Sequence, residues 1–452
     1  MAAAARRLAD WCAGFTSADI PQSERRLAGL RVLDTIGLAL VARYSEPGRI
    51  AAAIAARHGG TPEATLAGST TRLPASWSAF AHAVMAHSND FDDTFADSVV
   101  HPGTVAVSTA LAVAEATEAG PEETAAAITA GYEVAARIGG AAGRNFHARG
   151  FHATGTVGPF VAAAVAGRLY GLDGERLANA FGLAGSMSGG LLEFMTDGTW
   201  SKWVHTGWSA HGGIIAALMA NDGFRGPETV LDGRNGLYNA FVGDGNADLD
   251  VIGDRLGQVW RGGEAHFKIY PCAHVIQPYI DAVFGLVAEH AIVHGDIEEV
   301  RCAIAPWCIP IACEPRAPKL KPANAMDAIV SLFYCVAVAL IDGRVTLDAL
   351  GAECRGREDV LALTERVVHV ADETLGEGFD GRIEIRLRDG RVFEAPATVG
   401  ATDPAKVIGK FRANAAPVLD TERIDAVVDI LHGADGIDVA ALAPHLAAAE
   451  VS

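Results

Sequence analysis

Alanine-rich apolar runs that stop at glycine fill residues 1–265. "TVAVSTALAVAEATEAG", "PEETAAAITAGYEVAARIGGAAG", "GTVGPFVAAAVAGRLYGLD" and "SAHGGIIAALMANDGF" are each far longer than an ordinary strand. Alanine loses no side-chain entropy in a helix, and glycine accepts the left-handed conformation that ends one. These runs therefore predict helices. They lack a clean polar face, so several are expected to be buried on most sides. "IPQSERRLAGLRVLDTIGLALVARY" adds a helix with Pro21 near its start and Leu27, Leu30 and Leu33 at helical spacing. "LPASWSAFAHAVMAHSNDFDD" reads as another. A multi-helix bundle follows.

The texture changes near residue 265. "IEEVRCAIAP" alternates Val300, Cys302 and Ile304 as a strand does. "ERVVHVAD" is a short β-type run, and "RIEIRLRDGRVFEAP" reads as a hairpin turning at Asp389-Gly390. Two helices, "VIQPYIDAVFGLVAEHAIV" and "NAMDAIVSLFYCVAVALIDG", lie among them. The pattern predicts a mainly α protein: a large multi-helix bundle domain over 1–265 plus a smaller α+β domain over 266–401. Residues 402–452 turn helical again and are expected to pack back on the first domain. A chain of 452 residues is too long for one simple core.

Apolar residues make up 50% and charged residues 20%, which fits a folded globular chain. The net charge of −19 argues against nucleic acid and anionic membranes as partners. A small anionic substrate would need a local cluster of Lys, Arg and His. The apolar runs stop short of the ~18 residues a membrane span needs. "MAAAARRLADWCAGF" has no long apolar core, and the seven cysteines form no C-x-x-C, so a cytoplasmic protein without a disulfide framework is expected.

Titratable groups crowd "HSNDFDDTFADSVVHPG", His87–Gly103. A metal site finds little support in the spacing. There is no H-E-x-x-H, and His82/His87 and His147/His152 are each five apart rather than i, i+4. "DGNADLD" has Leu249 where a calcium loop wants glycine, and nothing in sequence supplies partners for "DFDD". Phosphate-binding glycine loops and a serine-hydrolase elbow are absent too. What remains is His, Lys and Asp beside helix starts, which attract anions. Asp90 and Thr94 are i and i+4 and share a face if the helix persists. His101 precedes one helix and His152 another; Lys202, His205 and His211 open a third; Lys268, Tyr270 and His274 stand where the texture changes. Together they predict a cationic pocket in an acidic protein. Asp92, Asp93 and Asp97 read as structural: helix-end hydrogen bonds or solvated charge.

The ordered set HSNDFDDT…HPG, GFHATGTVGP, SGGLLEFMTDGTWSKWVHTGWSAHGG, GFRGPETVLDGRNGLYNAF and FKIYPCAHVIQPYIDA resembles the MmgE/PrpD family. That family includes 2-methylcitrate dehydratase, cis-aconitate decarboxylase and iminodisuccinate epimerase. The resemblance implies a helical domain and an α+β lid with the active site in the cleft between, a homodimer, and no metal or organic cofactor. It places the polar site positions on Asp90, Thr94, His101, His152, Lys202 and Lys268. Many members carry His where Gln277 stands, while His274 lies three residues earlier. On this reading Asp90 and His101 are the acid/base candidates and Thr94 orients Asp90 or binds substrate. Lys202, Lys268 and His152 hold carboxylates and developing charge, and His205, Tyr270, His274 and Gln277 complete the substrate contacts. Gly262-Gly263, near the expected boundary, reads equally as a hinge or as an ordinary turn. The leading expectation is dehydration of a 2-methylcitrate-like acid. Decarboxylation of a cis-aconitate-like acid and epimerisation of an iminodisuccinate-like acid follow. A non-catalytic carboxylate receptor is the alternative of a different class.

Overall fold

A computed structural model describes residues 3–376 and 378–447. The chain divides into two compact units, Met1–Phe267 with Asp403–Ser452, and Lys268–Thr402. The fold class is the predicted one, mainly α with a smaller α+β unit.

The helices of the first unit that matter here are α1 (Gln22–Ala42), α2 (Glu46–His58), α3 (Ala75–His87), α4 (Pro102–Thr117), α5 (Pro121–Ala142), α6 (Ala153–Leu169), α7 (Ser201–Asn221) and α10 (Pro404–Ala415). Helix α6 sits at the centre, with every residue buried, and packs on α4, α5 and α7. Small residues set the spacing. A Cβ added at Gly213 of α7 would stand 2.4 Å from the Ala162 Cβ of α6. The two axes approach this closely only because glycine fills the contact. Helix α10, far away in sequence, packs on α1.

One expectation fails here, and one open reading is decided. Helix α3 does not continue through Asp90; it ends at His87, and Asp90 takes a left-handed backbone with φ of 49°. Asp and Asn tolerate that conformation better than most residues. Thr94 instead begins a short strand, β1 (Thr94–Phe95), paired antiparallel with β2 (Ala265–His266). Of the two readings of Gly262-Gly263, the structure gives the turn. The Gly262 N–H donates to Glu133 Oε1 at 2.5 Å, and its carbonyl accepts from Arg31 Nη2 at 2.7 Å, so the segment is pinned inside the first unit.

In the second unit, β3 (Ile297–Ile304), β4 (Val367–Ala371), β5 (Gly381–Leu387) and β6 (Val392–Ala397) form a sheet in the order β4-β3-β5-β6. The β3/β4 pair is parallel and the others antiparallel. Helices α8 (Gln277–His290) and α9 (Leu332–Asp342) pack together, with α8 against β5 and β6. The Tyr279 hydroxyl of α8 donates to the Ala303 carbonyl at 2.6 Å. Only glycine fits at position 381 beneath that hydroxyl. Among the described residues no helix is long and apolar enough to cross a membrane.

Candidate active site

Four pieces of chain converge in the helical unit: the loop after α3, the N-terminal ends of α4 and α6, and the first turns of α7. His101 is the N-cap residue of α4 and His152 that of α6. The His101 N–H donates to the Thr154 hydroxyl at 3.0 Å, which ties the two helix starts together.

The chain reversal at Asp90 sends Asp92 inward, between two imidazoles. Asp92 Oδ2 lies 2.8 Å from His87 Nδ1 and 3.4 Å from His101 Nδ1. His101 Nδ1 also stands 3.1 Å from the Asp93 carbonyl and 3.1 Å from the Thr94 hydroxyl. A carbonyl and a carboxylate only accept, so this nitrogen carries the proton. Nε2 of His101 is then the basic nitrogen of the neutral ring, 3.9 Å from Asp90 Oδ1. Asp90 Oδ2 pairs with Lys202 Nζ at 2.7 Å. The Nδ1 atoms of His152 and His205 face each other at 3.2 Å, so one ring donates and the other accepts. All these side chains except His205 are buried.

Burial and charge set the protonation states. Burial pushes the Asp92 carboxyl up, but the rings of His101 and His87 outweigh it and hold it well below the usual carboxylate range. Burial raises Asp93 to about 7, although it accepts from the Tyr132 hydroxyl at 2.5 Å and the Gly103 N–H at 2.9 Å. Burial and then the neighbouring Lys202 ammonium hold His152 well below its ordinary value. Burial likewise lowers His205 to about 4, helped by His87 and Lys202. His147, beside the group, is lowered to about 4 by burial, His101 and Lys202.

Asp90, His101, Thr94, His152, Lys202 and His205 thus lie in one cluster, with differences from the sequence reading. Thr94 bonds to His101, not to Asp90, because the helix that would have aligned it with Asp90 has ended. The cluster is also not a cationic pocket: Lys202 is neutralised by Asp90, and burial keeps His152 and His205 uncharged at neutral pH. His211 lies apart, its ring between Trp77 and Trp208.

The second unit holds Lys268, Tyr270, His274 and Gln277. The Gln277 amide oxygen accepts from the Ile269 and Tyr270 N–H groups at 2.9 and 3.0 Å. Its nitrogen donates to the Tyr270 and Cys272 carbonyls at 2.7 and 3.1 Å. The amide is therefore used up in shaping the loop that follows Lys268. The Tyr270 hydroxyl donates to Asp281 at 2.8 Å, and its pKa is raised by burial and then by that carboxylate. His274 stacks on Phe379 at 4.5 Å between centroids.

The sequence reading missed His87 and Asp92. Folding also supplies the metal partners that "DFDD" lacks in sequence: donor atoms of His87, Asp90, Asp92 and His101 lie within 4.8 Å of one another, as do those of His87, His101 and His152. The donor set fits a cation only if Lys202 releases Asp90. The ammonium already supplies the positive charge there, and both Nδ1 atoms beside Asp92 are turned to it as donors. Asp93 and Asp97 match the structural reading: Asp93 caps the start of α4, and half-exposed Asp97 pairs with Arg261.

The sequence pattern of the MmgE/PrpD N-terminal domain matches residues 6–250, and that of the MmgE/PrpD C-terminal domain matches residues 270–432. The chain belongs to the MmgE/PrpD family. This MmgE/PrpD protein is 24% identical to a cis-aconitate decarboxylase-like protein, oryM, of Aspergillus oryzae, over 93% of this chain and 92% of the relative. It is 25% identical to the cis-aconitate decarboxylase of Homo sapiens over 90% of this chain and 86% of the relative. The cis-aconitate decarboxylase of Aspergillus terreus is 24% identical over 75% and 73%.

Proposed function

We propose that this protein is a cofactor-free lyase of small di- or tricarboxylic acids, with decarboxylation of a cis-aconitate-like acid as its reaction. One observation carries the chemistry: His101 binds Asp92 and the Asp93 carbonyl through Nδ1 and keeps Nε2 for proton transfer. A buried carboxylate behind an imidazole fixes its tautomer and stabilises its protonated form. In the proposed step the bond to one substrate carboxylate breaks and CO₂ leaves. His101 enters this step as the imidazolium that Asp92 stabilises, with a second proton taken up on Nε2. The electron pair moves into the adjacent C=C, the far carbon takes that Nε2 proton, and the ring returns to the neutral form protonated at Nδ1. Lys202, held by Asp90, stabilises the charge that develops on a remaining carboxylate. The names of the relatives support decarboxylation over the dehydration that the sequence favours.

Dehydration of a 2-methylcitrate-like hydroxy acid is the second reading. The His152–His205 pair favours it, because the neutral ring that accepts at Nδ1 carries its N–H on Nε2 and can hydrogen-bond a leaving hydroxyl beside the base His101. Incubation with a panel of di- and tricarboxylates tests both. CO₂ release supports the first, new C=C absorbance without CO₂ supports the second, and deuterium exchange at carbon without net product supports an epimerase. Binding without any of these would overturn the lyase reading in favour of a carboxylate receptor.

We further propose a homodimer. Val204, Trp208 and Leu218 are exposed along α7, which has no Asp, Glu or Arg and whose one lysine is buried. His58 stacks on Trp77 at 3.9 Å, and Trp77 meets His211 at 4.5 Å, which extends this face to α2 with its exposed Ile50 and Ile54. A chain of charge −19 repels its copy over most of its surface. The aromatic stripe along α7, without exposed charge, is a face on which two copies can meet, and two-fold packing presents it to itself.

A further inference from the structure

The loop that carries Asp92 is held from beneath by a residue more than three hundred positions later. Lys410, on α10, donates from Nζ to the Phe91 carbonyl at 2.6 Å and pairs with Asp34 of α1 at 2.6 Å. The Lys410 and Asp34 side chains are only 2% and 3% exposed. The ammonium also lies 3.8 Å from the centre of the Phe91 ring. The Phe91 carbonyl belongs to the peptide whose nitrogen is that of Asp92. Fixing that plane fixes where the Asp92 side chain starts. On the other side Asp93 is gripped by Tyr132 and Gly103, and the Arg31 guanidinium lies 3.7 Å over the Tyr132 ring. Asp92 is thus held at both flanking residues.

A buried ion pair is a poor way to gain stability. Removing both charges from water costs several kcal/mol, and a well-packed apolar pair often serves as well. Its retention makes sense where one geometry must be selected over near alternatives. Here that geometry is the 3.4 Å approach of Asp92 to His101 Nδ1.

We infer that Lys410 and Asp34 are positioning residues for the Asp92–His101 pair, acting through the Phe91–Asp92 peptide. The inference rests on the proposed acid/base role of His101, but its test does not need the substrate. The double variant Asp34→Asn/Lys410→Met removes both charges of the pair together. With ¹⁵N-labelled histidine, and His101→Gln to assign the signal, wild-type His101 is expected to show one tautomer protonated at Nδ1. The double variant, folded with a cooperative melting transition, is expected to show a mixture of tautomers. On any acid the wild type turns over, it should lose roughly 10- to 100-fold in kcat with KM changed less than threefold, the size expected when a remote change misplaces a reacting group. Lys410→Arg, which can still donate to the carbonyl, is expected to restore the wild-type spectrum. If no acid is turned over but the His101 spectrum changes, the positioning role stands and the lyase reading falls. A folded double variant with wild-type His101 signals overturns the inference. So does loss of fold in both the double variant and Lys410→Met, since the pair would then be purely structural.

Discussion

Replacing Asp92 by Asn keeps the shape of the side chain and removes its charge. In the wild-type site one oxygen serves two rings, 2.8 Å from His87 and 3.4 Å from His101. At 3.4 Å and an effective dielectric of about 20, the carboxylate stabilises a protonated His101 by about 5 kcal/mol. Desolvation of the pair takes back part of this. If about 3–4 kcal/mol survives, Asp92→Asn should lower kcat by roughly 100- to 1,000-fold. The asparagine NH₂ would also face a ring nitrogen that now carries its proton, and so favour the wrong tautomer. KM should change little, because Asp92 is buried behind the imidazole and is not placed to bind substrate. The assay is CO₂ release from the best acid of the panel at saturation, on protein whose melting transition stays cooperative. A folded Asp92→Asn variant within threefold of the wild-type kcat would refute the orienting role.

Other outcomes follow from the same geometry. Acid should destabilise the protein: burial lowers His82, His147 and His205 to about 4 and holds His152 well below its ordinary value. A base with a depressed folded pKa contributes stability above its unfolded value near 6.5 and loses it as pH falls through the folded one. Each such proton is worth about 1.4 kcal/mol per pH unit. Asp93, raised to about 7, acts oppositely, as do Glu24 and Glu133, both raised by burial. The urea midpoint should still fall between pH 6.5 and 4.5, and His82→Gln should flatten that fall. Added Zn²⁺ should inhibit turnover by capturing His87, Asp92 and His101, and EDTA should reverse it; a zinc-insensitive enzyme would count against the accessibility of these donors. Trp208→Glu should convert a dimer to a monomer in sedimentation velocity, whereas an unchanged dimer places the contact elsewhere.

The helical architecture was legible because alanine and glycine act locally. His101 and His152 could be placed at helix starts because Pro102 and the apolar runs behind each histidine mark where helices begin. The i, i+4 spacing of Asp90 and Thr94 groups them for a reason the fold does not keep. Periodicity assumed a continuing helix, while a left-handed Asp90 turned the chain back. "NDFDD" is dense in residues that accept such a turn, and that was the available signal. The His87–Asp92–His101 contact follows from that reversal and has no period of its own. Net charge in the cluster is not legible, because neutralisation depends on burial and on distant pairing: Lys202 of α7 meets Asp90 in the loop after α3. The Lys410–Phe91 bond, joining distant segments, leaves no local trace at all.

The return of α10 to the first unit bears on how the protein is made. Residues up to Phe267 leave the ribosome before Lys268–Thr402, and α10 comes later still. At about 5–20 residues per second, synthesis of the intervening unit takes on the order of ten seconds. Throughout that interval Asp34 and the Phe91 carbonyl lack their lysine. The nascent helical unit can collapse, but the Phe91–Asp92 peptide gains its Lys410 contact only when α10 arrives. A product terminated before α10 would then carry the His–Asp cluster without the lysine that positions it.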